Sequence, residues 1–364
     1  FGSSRTQLKF ATRARPPGSD VQAAMLALIS ALLVVCQGTV VQIGSYNDLE
    51  AQTTSKCISG AIPDNLTLEL TADIEVEDTV RIPKAKDMVI RSQIGEFFKI
   101  KPKSNMKKAL MTIGGLWCLQ GLDKTYQNLR FEHIGFGGHP DIDGMLEPAA
   151  VHVGDLKSDS DVTFDRVHFT NIKRGSGTSA AALALMKGNV TMTNCTFEGN
   201  ENAGNYGGAL NVGKRATVLI EDTTFKANKG GGMGGGAIHL GSGGFTCNRC
   251  VFEGNEATDN NGKGDAIFGD SSDGDGTISG WSVAFNECNF KSGQKVHWKD
   301  QPETKTWTCA ATGETVQFPS GVPTCQAPAA TSPSGGSGGM ATSSEAAAMA
   351  TPWIAALVLA MTAV

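Results

Sequence analysis

The sequence predicts an all-β chain wound as a right-handed parallel β-helix, a solenoid closed at its start by a short N-terminal capping helix. Three observations lead there: a repeat of 27 or 28 residues, strand-like alternation inside each repeat, and glycine-rich turns between the strands.

The repeat carries most of the weight. Phe169, Phe197, Phe225, Phe252 and Phe290 fall into one column, spaced by 28, 28, 27 and 38 residues, the last interval lengthened by Asp270–Thr277. Two residues before each stand Val167, Cys195, Thr223, Cys250 and Cys288, and an apolar pair precedes those, from Val162 with Phe164 to Val283 with Phe285. Self-similarity at a fixed period marks a repeat architecture. Within a repeat the apolar residues alternate, as in Val190-Thr-Met192 and Val218-Leu-Ile220, in short runs broken by Gly, Asn and Asp. That is strand periodicity, and it argues against a helical solenoid.

About 27 residues carrying three short strands make one coil of a parallel β-helix, and coils stack at ~4.8 Å, so equivalent residues pile directly above one another. The Phe column becomes an internal aromatic stack. Asn200, Asn228 and Asn255, each three residues after a Phe, become an amide ladder at a bend. The Gly-Gly-Ala segments at 207–209 and 235–237 mark turns that need positive φ. Forty-five glycines against three tyrosines agree with many tight turns.

The same architecture extends towards the N-terminus through Leu66–Leu70, Ile74–Val76, Val80–Ile82, Met88–Ile90 and Phe98–Ile100. Ser45–Cys57 is the capping helix, needed because an open strand edge invites polymerisation. The β-helix is expected over 39–300, with a C-terminal cap at 301–330. A Cys309–Cys325 bridge there would close a short loop and contribute roughly 3 kcal/mol.

Both ends read as processing signals. Residues 1–38 form an upstream region and a signal peptide, whose apolar segment Met25–Val35 is interrupted only by Ser30. Residues 331–364 form a Ser/Gly-rich linker and a hydrophobic tail. Ser337, Gly338 and Gly339, a polar spacer and the apolar Trp353–Val364 have the layout of a GPI-attachment signal. That tail falls short of the ~20 residues a spanning helix needs. Eight of the nine cysteines lie beyond the leader, an even number that suits disulfides in an exported protein. Sequons at Asn65, Asn189 and Asn194 agree with this route. The expected location is the extracellular face of a plasma membrane or a cell wall, with membrane contact through a lipid anchor only. A net charge of −5 without a basic stripe excludes a nucleic-acid partner.

Phe197–Asn200 with Gly207–Leu210, Phe225–Asn228 with Gly235–Ile238, and Phe252–Asn255 with the weaker Gly264-Asp-Ala-Ile267 carry a family resemblance. At these residues the sequence resembles the right-handed β-helix (pectin-lyase-like) superfamily. More narrowly it looks like the polymorphic outer-membrane-protein type of Phe-x-x-Asn…Gly-Gly-Ala-Ile repeat. The resemblance covers 164–290 and implies the fold. It does not imply a chemistry, because the superfamily holds lyases, hydrolases, adhesins and inert stalks. The hydrolase template of paired Asp with a downstream Gly-His-Gly is absent. So is a lyase-type calcium cluster with a strand-borne arginine base. Ile172-Lys-Arg174 has the look of a basic clamp, but no carboxylate set accompanies it.

Alternation identifies the outward positions. On one strand these are His152, Ala184, Asn211, His239 and Phe268. The two histidines lie three coils, ~14 Å, apart, too far to share a metal, and read as surface residues. On the next strand Asp165 and Glu221 are two coils, ~10 Å, apart, near the carboxylate spacing of inverting glycosidases, and are candidate catalytic residues against the plainer reading of a solvated face. Asp270, Asp273 and Asp275 are candidate calcium ligands, set against a solvated loop; no other cofactor is expected. Cys247 and Cys250 both point inward as inert apolar residues. Cys250 and Cys288 share a column on neighbouring coils, so a Cys250–Cys288 disulfide is expected in place of a redox or zinc centre.

Two functions follow. The first is a cell-surface binding or structural protein contacting a polysaccharide or another cell-surface protein. The alternative is a polysaccharide lyase or glycoside hydrolase, which two or three carboxylates and a basic residue in one cleft would reveal.

Overall fold

The computed structural model describes residues 38–308, apart from 60–61, 105, 107, 115–124, 139–148, 158, 176–178, 205, 233, 242, 259–263, 271–281, 292 and 300–303. The leader, Asp273, Asp275, Cys309, Cys325 and the hydrophobic tail therefore lie outside the described residues.

The chain is an all-β right-handed parallel β-helix. Among the described residues its strands form a 16-stranded, an 8-stranded and a 4-stranded sheet, and every pairing is parallel. Each coil contributes to three faces. Face A runs from Val80–Ile82 to Val296–Trp298, face B from Thr39–Ile43 to Thr304–Thr308, and face C from Ile74–Val76 to Asn289–Phe290. Faces A and B belong to one sheet because Leu183–Thr193 and Leu210–Glu221 each run through the corner as one strand, with a register shift between Leu185 and Lys187. Beyond the three strands expected per coil, a two-residue strand recurs at Lys173–Arg174, Glu201–Asn202, Lys229–Gly230 and Glu256–Ala257. The β-helix also reaches past 300, since Thr304–Thr308 pairs with Ser282–Asn286 where a separate cap was expected.

The N-terminal cap consists of two short helices, α1 (Tyr46–Gln52) and α2 (Thr54–Ser59). Ser45 opens α1 as its N-cap, its hydroxyl accepting from the Asp48 amide. α1 buries Leu49, and the Thr54 hydroxyl accepts from the Arg81 amide, tying α2 to the first strand of face A.

The interior is built from columns. Phe136, Phe169, Phe197, Phe225, Phe252 and Phe290 stack face to face with ring centroids 4.5–5.2 Å apart. The column begins one coil before the first Phe of the sequence repeat. Such rings bury a large apolar area and gain further from offset stacking.

Beside them runs the amide ladder. The Nδ2 of Asn200 donates to Asn228 Oδ1 at 2.9 Å, Asn228 Nδ2 to Asn255 Oδ1 at 2.9 Å, and Asn255 Nδ2 to Gln294 Oε1 at 2.8 Å. Each asparagine Nδ2 also donates to the carbonyl of Phe169, Phe197 or Phe225. Each side-chain oxygen accepts a backbone amide as well, from Ile172, Asn200, Asn228 or Asn255. Gln294 is thus a fourth rung.

The corners follow a backbone rule of their own. His133, Arg166, Asn194, Asp222, Arg249 and Glu287 occupy one corner between faces B and C, all with φ between 48° and 55°. Their amides continue the ladder between coils, for example Arg166 to the Thr193 carbonyl and Asp222 to that of Asn248. The glycine turns depend on close approach as much as on φ. Gly235 has φ 82°, whereas a Cβ on Gly208 would collide with the Gly236 carbonyl of the next coil.

The outward positions of face A are not at the surface. His239 is buried, with the Tyr206 ring 4.2 Å away and its Nδ1 3.0 Å from Asn211 Oδ1. Asn211 in turn donates to the Ser179 hydroxyl. Tyr206 and Ser179 cover this face at His239 and Asn211, so His239 is not the surface residue that alternation suggested, and His152 is half-buried. Burial holds both imidazoles neutral, pushing His152 down to about 4 and His239 down to about 3.

Asn228→Ala removes one rung and strands the donors and acceptors above and below it. The unfolding free energy from urea titration should fall by at least about 2 kcal/mol. The buried histidines set a pH dependence. Below about 6.5 the unfolded chain takes up protons that the folded chain refuses, so stability falls as the pH drops from there towards 4. Urea titrations near pH 7 and near pH 5 should show that loss, and His239→Asn should reduce it.

Candidate functional site

Because face A is covered, face B is the broad sheet surface that meets solvent. Register assigns its outward rows without ambiguity. Five successive coils present Asp161, Thr163 and Asp165; Asn189, Thr191 and Thr193; Thr217, Leu219 and Glu221; Gly244, Thr246 and Asn248; and Ser282, Ala284 and Asn286. All are half-buried or exposed, while the residues between them, such as Val162, Met192, Ile220 and Phe285, are buried. These rows hold hydroxyls, carboxamides and three carboxylates, but no lysine, arginine or aromatic side chain. Side chains repeat at ~4.8 Å from coil to coil and at ~6.6 Å along each strand, giving a flat polar grid.

Some groups in the grid bond along the column. Asn286 Nδ2 donates to Asn248 Oδ1 at 2.8 Å, and Asn248 Nδ2 donates to Glu221 Oε1 at 3.1 Å. Such bonds align the amides in one direction along the solenoid axis. The earlier coils of face B differ. There Glu69 accepts from Arg91 at 3.0 Å and from Gln42 at 3.0 Å, and Arg130 pairs with Glu132 at 2.9 Å.

Face C and the two-residue strands satisfy their charges internally. Lys226 pairs with Glu198 at 3.2 Å, Lys229 with Glu256 at 3.2 Å and Lys173 with Glu201 at 3.4 Å. Successive coils carry Glu198 with Glu201, then Lys226 with Lys229, then Glu253 with Glu256, so the sign of charge alternates coil by coil. Exposed pairs of this kind contribute only ~0–1 kcal/mol each, but they leave this side neutralised. Arg174, within the segment that looked like a basic clamp, is buried, and Lys173 beside it is held by Glu201.

The structure places the candidate catalytic residues on this grid but not as an acid–base pair. Asp165 is engaged by Arg166 at 2.8 Å, and Glu221 by Asn248, with the Arg249 guanidinium 3.8 Å away. Thr193 stands between them in the column. Asp270, a candidate calcium ligand, is buried and paired with Lys299 at 3.1 Å. A cation at Asp270 would have to displace that lysine. Of the sequons, Asn65 and Asn194 are exposed at positive φ, whereas Asn189 is half-buried on face B itself.

The cysteine expectation is corrected. Cys247 is bonded to Cys250, and Cys288 is a free, buried thiol, so the Cys250–Cys288 bridge is not formed. The physical reason lies at the corner. Side chains stacked in one column run parallel, whereas Cys247 and Cys250 flank the positive-φ residue Arg249, which turns the chain so that they converge.

Residues 151–291 match the family described as the right handed beta helix region. No curated protein and no solved structure gave a match. With that region and its uniformly parallel sheets, the chain is by fold an all-β protein of the right-handed β-helix kind.

Proposed function

We propose that this is a cell-surface β-helix protein that binds a neutral polysaccharide along face B. The observation that carries the reading is the grid of Thr, Ser and Asn side chains over five coils, set beside a face C whose charges cancel internally. Donors and acceptors repeated every ~4.8 Å suit a periodic polymer laid along the solenoid axis. The grid carries Asp161, Asp165 and Glu221 and no basic residue, so uronate or sulfated chains would meet like charge there. A signal peptide at 1–38 and a GPI-type tail at 331–364 would deliver and hold the protein on the outside of the cell. Among the described residues no helix is long and apolar enough to cross a membrane. The lyase or hydrolase reading has less support, since Asp165 and Glu221 each stand with their own partner and not together.

The test is retention of the full-length protein on neutral, uronate and sulfated polysaccharides, with new reducing ends and unsaturated products followed in parallel. Retention on neutral chains without turnover is the expected result. Thr191→Ala combined with Thr246→Ala should weaken that retention about tenfold, at ~0.5–1.5 kcal/mol per lost hydrogen bond, without changing the melting temperature. Turnover of any chain would replace the reading with the enzymatic one. Absence of both would leave a structural stalk or a protein-binding surface.

A further inference from the structure

Three sulfur atoms meet inside the coils that close the described part of the solenoid. Cys247 and Cys250 come from one coil and Cys288 from the next, and their Sγ atoms all lie within 4.8 Å of one another. All three residues are buried, and the Cys288 thiol rests against the Cys247 carbonyl at 3.1 Å. Neither the aromatic stack nor the amide ladder uses these groups. The other free, buried thiol among the described residues, Cys195, sits two coils before Cys250 and three before Cys288 in the same corner column, and directs its sulfur to backbone carbonyls. Among the described residues it belongs to no such cluster.

We propose that Cys247, Cys250 and Cys288 form a redox-gated site for a soft, thiophilic metal ion, closed while the Cys247–Cys250 disulfide is intact and open once it is reduced. Three thiolates bonded at ~2.3 Å to an ion such as zinc lie ~4 Å from each other, which fits within the present span of the sulfurs without moving the coils. An all-sulfur donor set selects zinc, cadmium or copper(I) over calcium or magnesium.

The gate follows from the electron count. In the oxidised protein two of the three sulfurs are bonded to each other and only Cys288 is left to donate. A two-electron reductant, such as a dithiol, is oxidised to its own disulfide and converts Cys247 and Cys250 to two thiols. A divalent ion then replaces three thiol protons, which leave to solvent, and forms three metal–sulfur bonds. The metal charge offsets much of the cost that burial imposes on thiolates here. Reduction should not undo the coil. A bridge between residues three apart constrains the unfolded chain little, and the Phe stack and Asn ladder pass alongside it unchanged.

The experiment uses the full-length protein reduced by a water-soluble phosphine, desalted without oxygen and titrated with cadmium ion. The sulfur-to-cadmium absorption band is followed, and peptide mapping after alkylation reports which cysteines are shielded. The expected result is joint protection of Cys247, Cys250 and Cys288, with Cys195 still labelled on unfolding in the presence or absence of cadmium. In the unreduced protein Cys247 and Cys250 are shielded by their own disulfide, so the control is the absence of both the cadmium absorption band and any cadmium-dependent protection of Cys288. Cys288→Ser should weaken binding by at least about tenfold, as loss of even an outer partner of a metal site often does, with its circular dichroism unchanged. Cadmium binding that leaves these three cysteines open to alkylation would overturn the proposal. So would equal affinity in Cys288→Ser, or equal binding before and after reduction. The mapping on the wild-type chain decides the matter even if the variant fails to fold.

Discussion

Everything in this molecule depends on stacking one coil on the next in strict register, because a coil of three short strands cannot bury its apolar side alone. The parallel backbone ladder supplies the attraction, but it is indifferent to which residue meets which. Discrimination comes from the corner, where the Asn200–Asn228–Asn255–Gln294 ladder satisfies both donors of each asparagine and binds the side-chain oxygens of Asn228, Asn255 and Gln294 twice each. A shift by one residue would leave those amides buried and unpaired, at a cost of ~1–3 kcal/mol for each group. The Phe column beside it reinforces that register, since a slip would take each ring off the ring below it.

Once the interior is fixed in this way, the outside is free to vary, and its faces have diverged. Face A is covered where Tyr206 lies over His239 and Ser179 against Asn211. Face C and the two-residue strands spend their charges on one another. Face B, over the five coils from Asp161 to Asn286, is left as an array of hydroxyls, carboxamides and three carboxylates without a basic residue. The division of labour among faces follows from where the connecting segments fold, more than from the composition of the strands.

Much of this was legible in the sequence, because stacking makes column membership a one-to-one property. Phe169 to Phe290, Asn200 to Asn255 and the apolar pairs needed only counting. Gln294 escaped because it stands four residues after its Phe where the asparagines stand three, its extra methylene restoring the reach. The Cys247–Cys250 bond escaped because column logic compares neighbours along the axis and is blind to convergence across a corner. The burial of His239 was hidden for a related reason: alternation gives the side of a sheet but not what covers it. The outward rows of face B were readable as rows; only the roof over face A distinguished them as the open surface.

The alternating signs on face C reach beyond this one molecule. Removal of the coil that carries Lys226 and Lys229 would bring Glu198 onto Glu253 and Glu201 onto Glu256. Removal of the coil before it would set Lys173 onto Lys229. A lineage built on this pattern can therefore lengthen or shorten its solenoid smoothly by two coils at a time, while single-coil events meet electrostatic resistance. Over these coils, repeat number carries a parity.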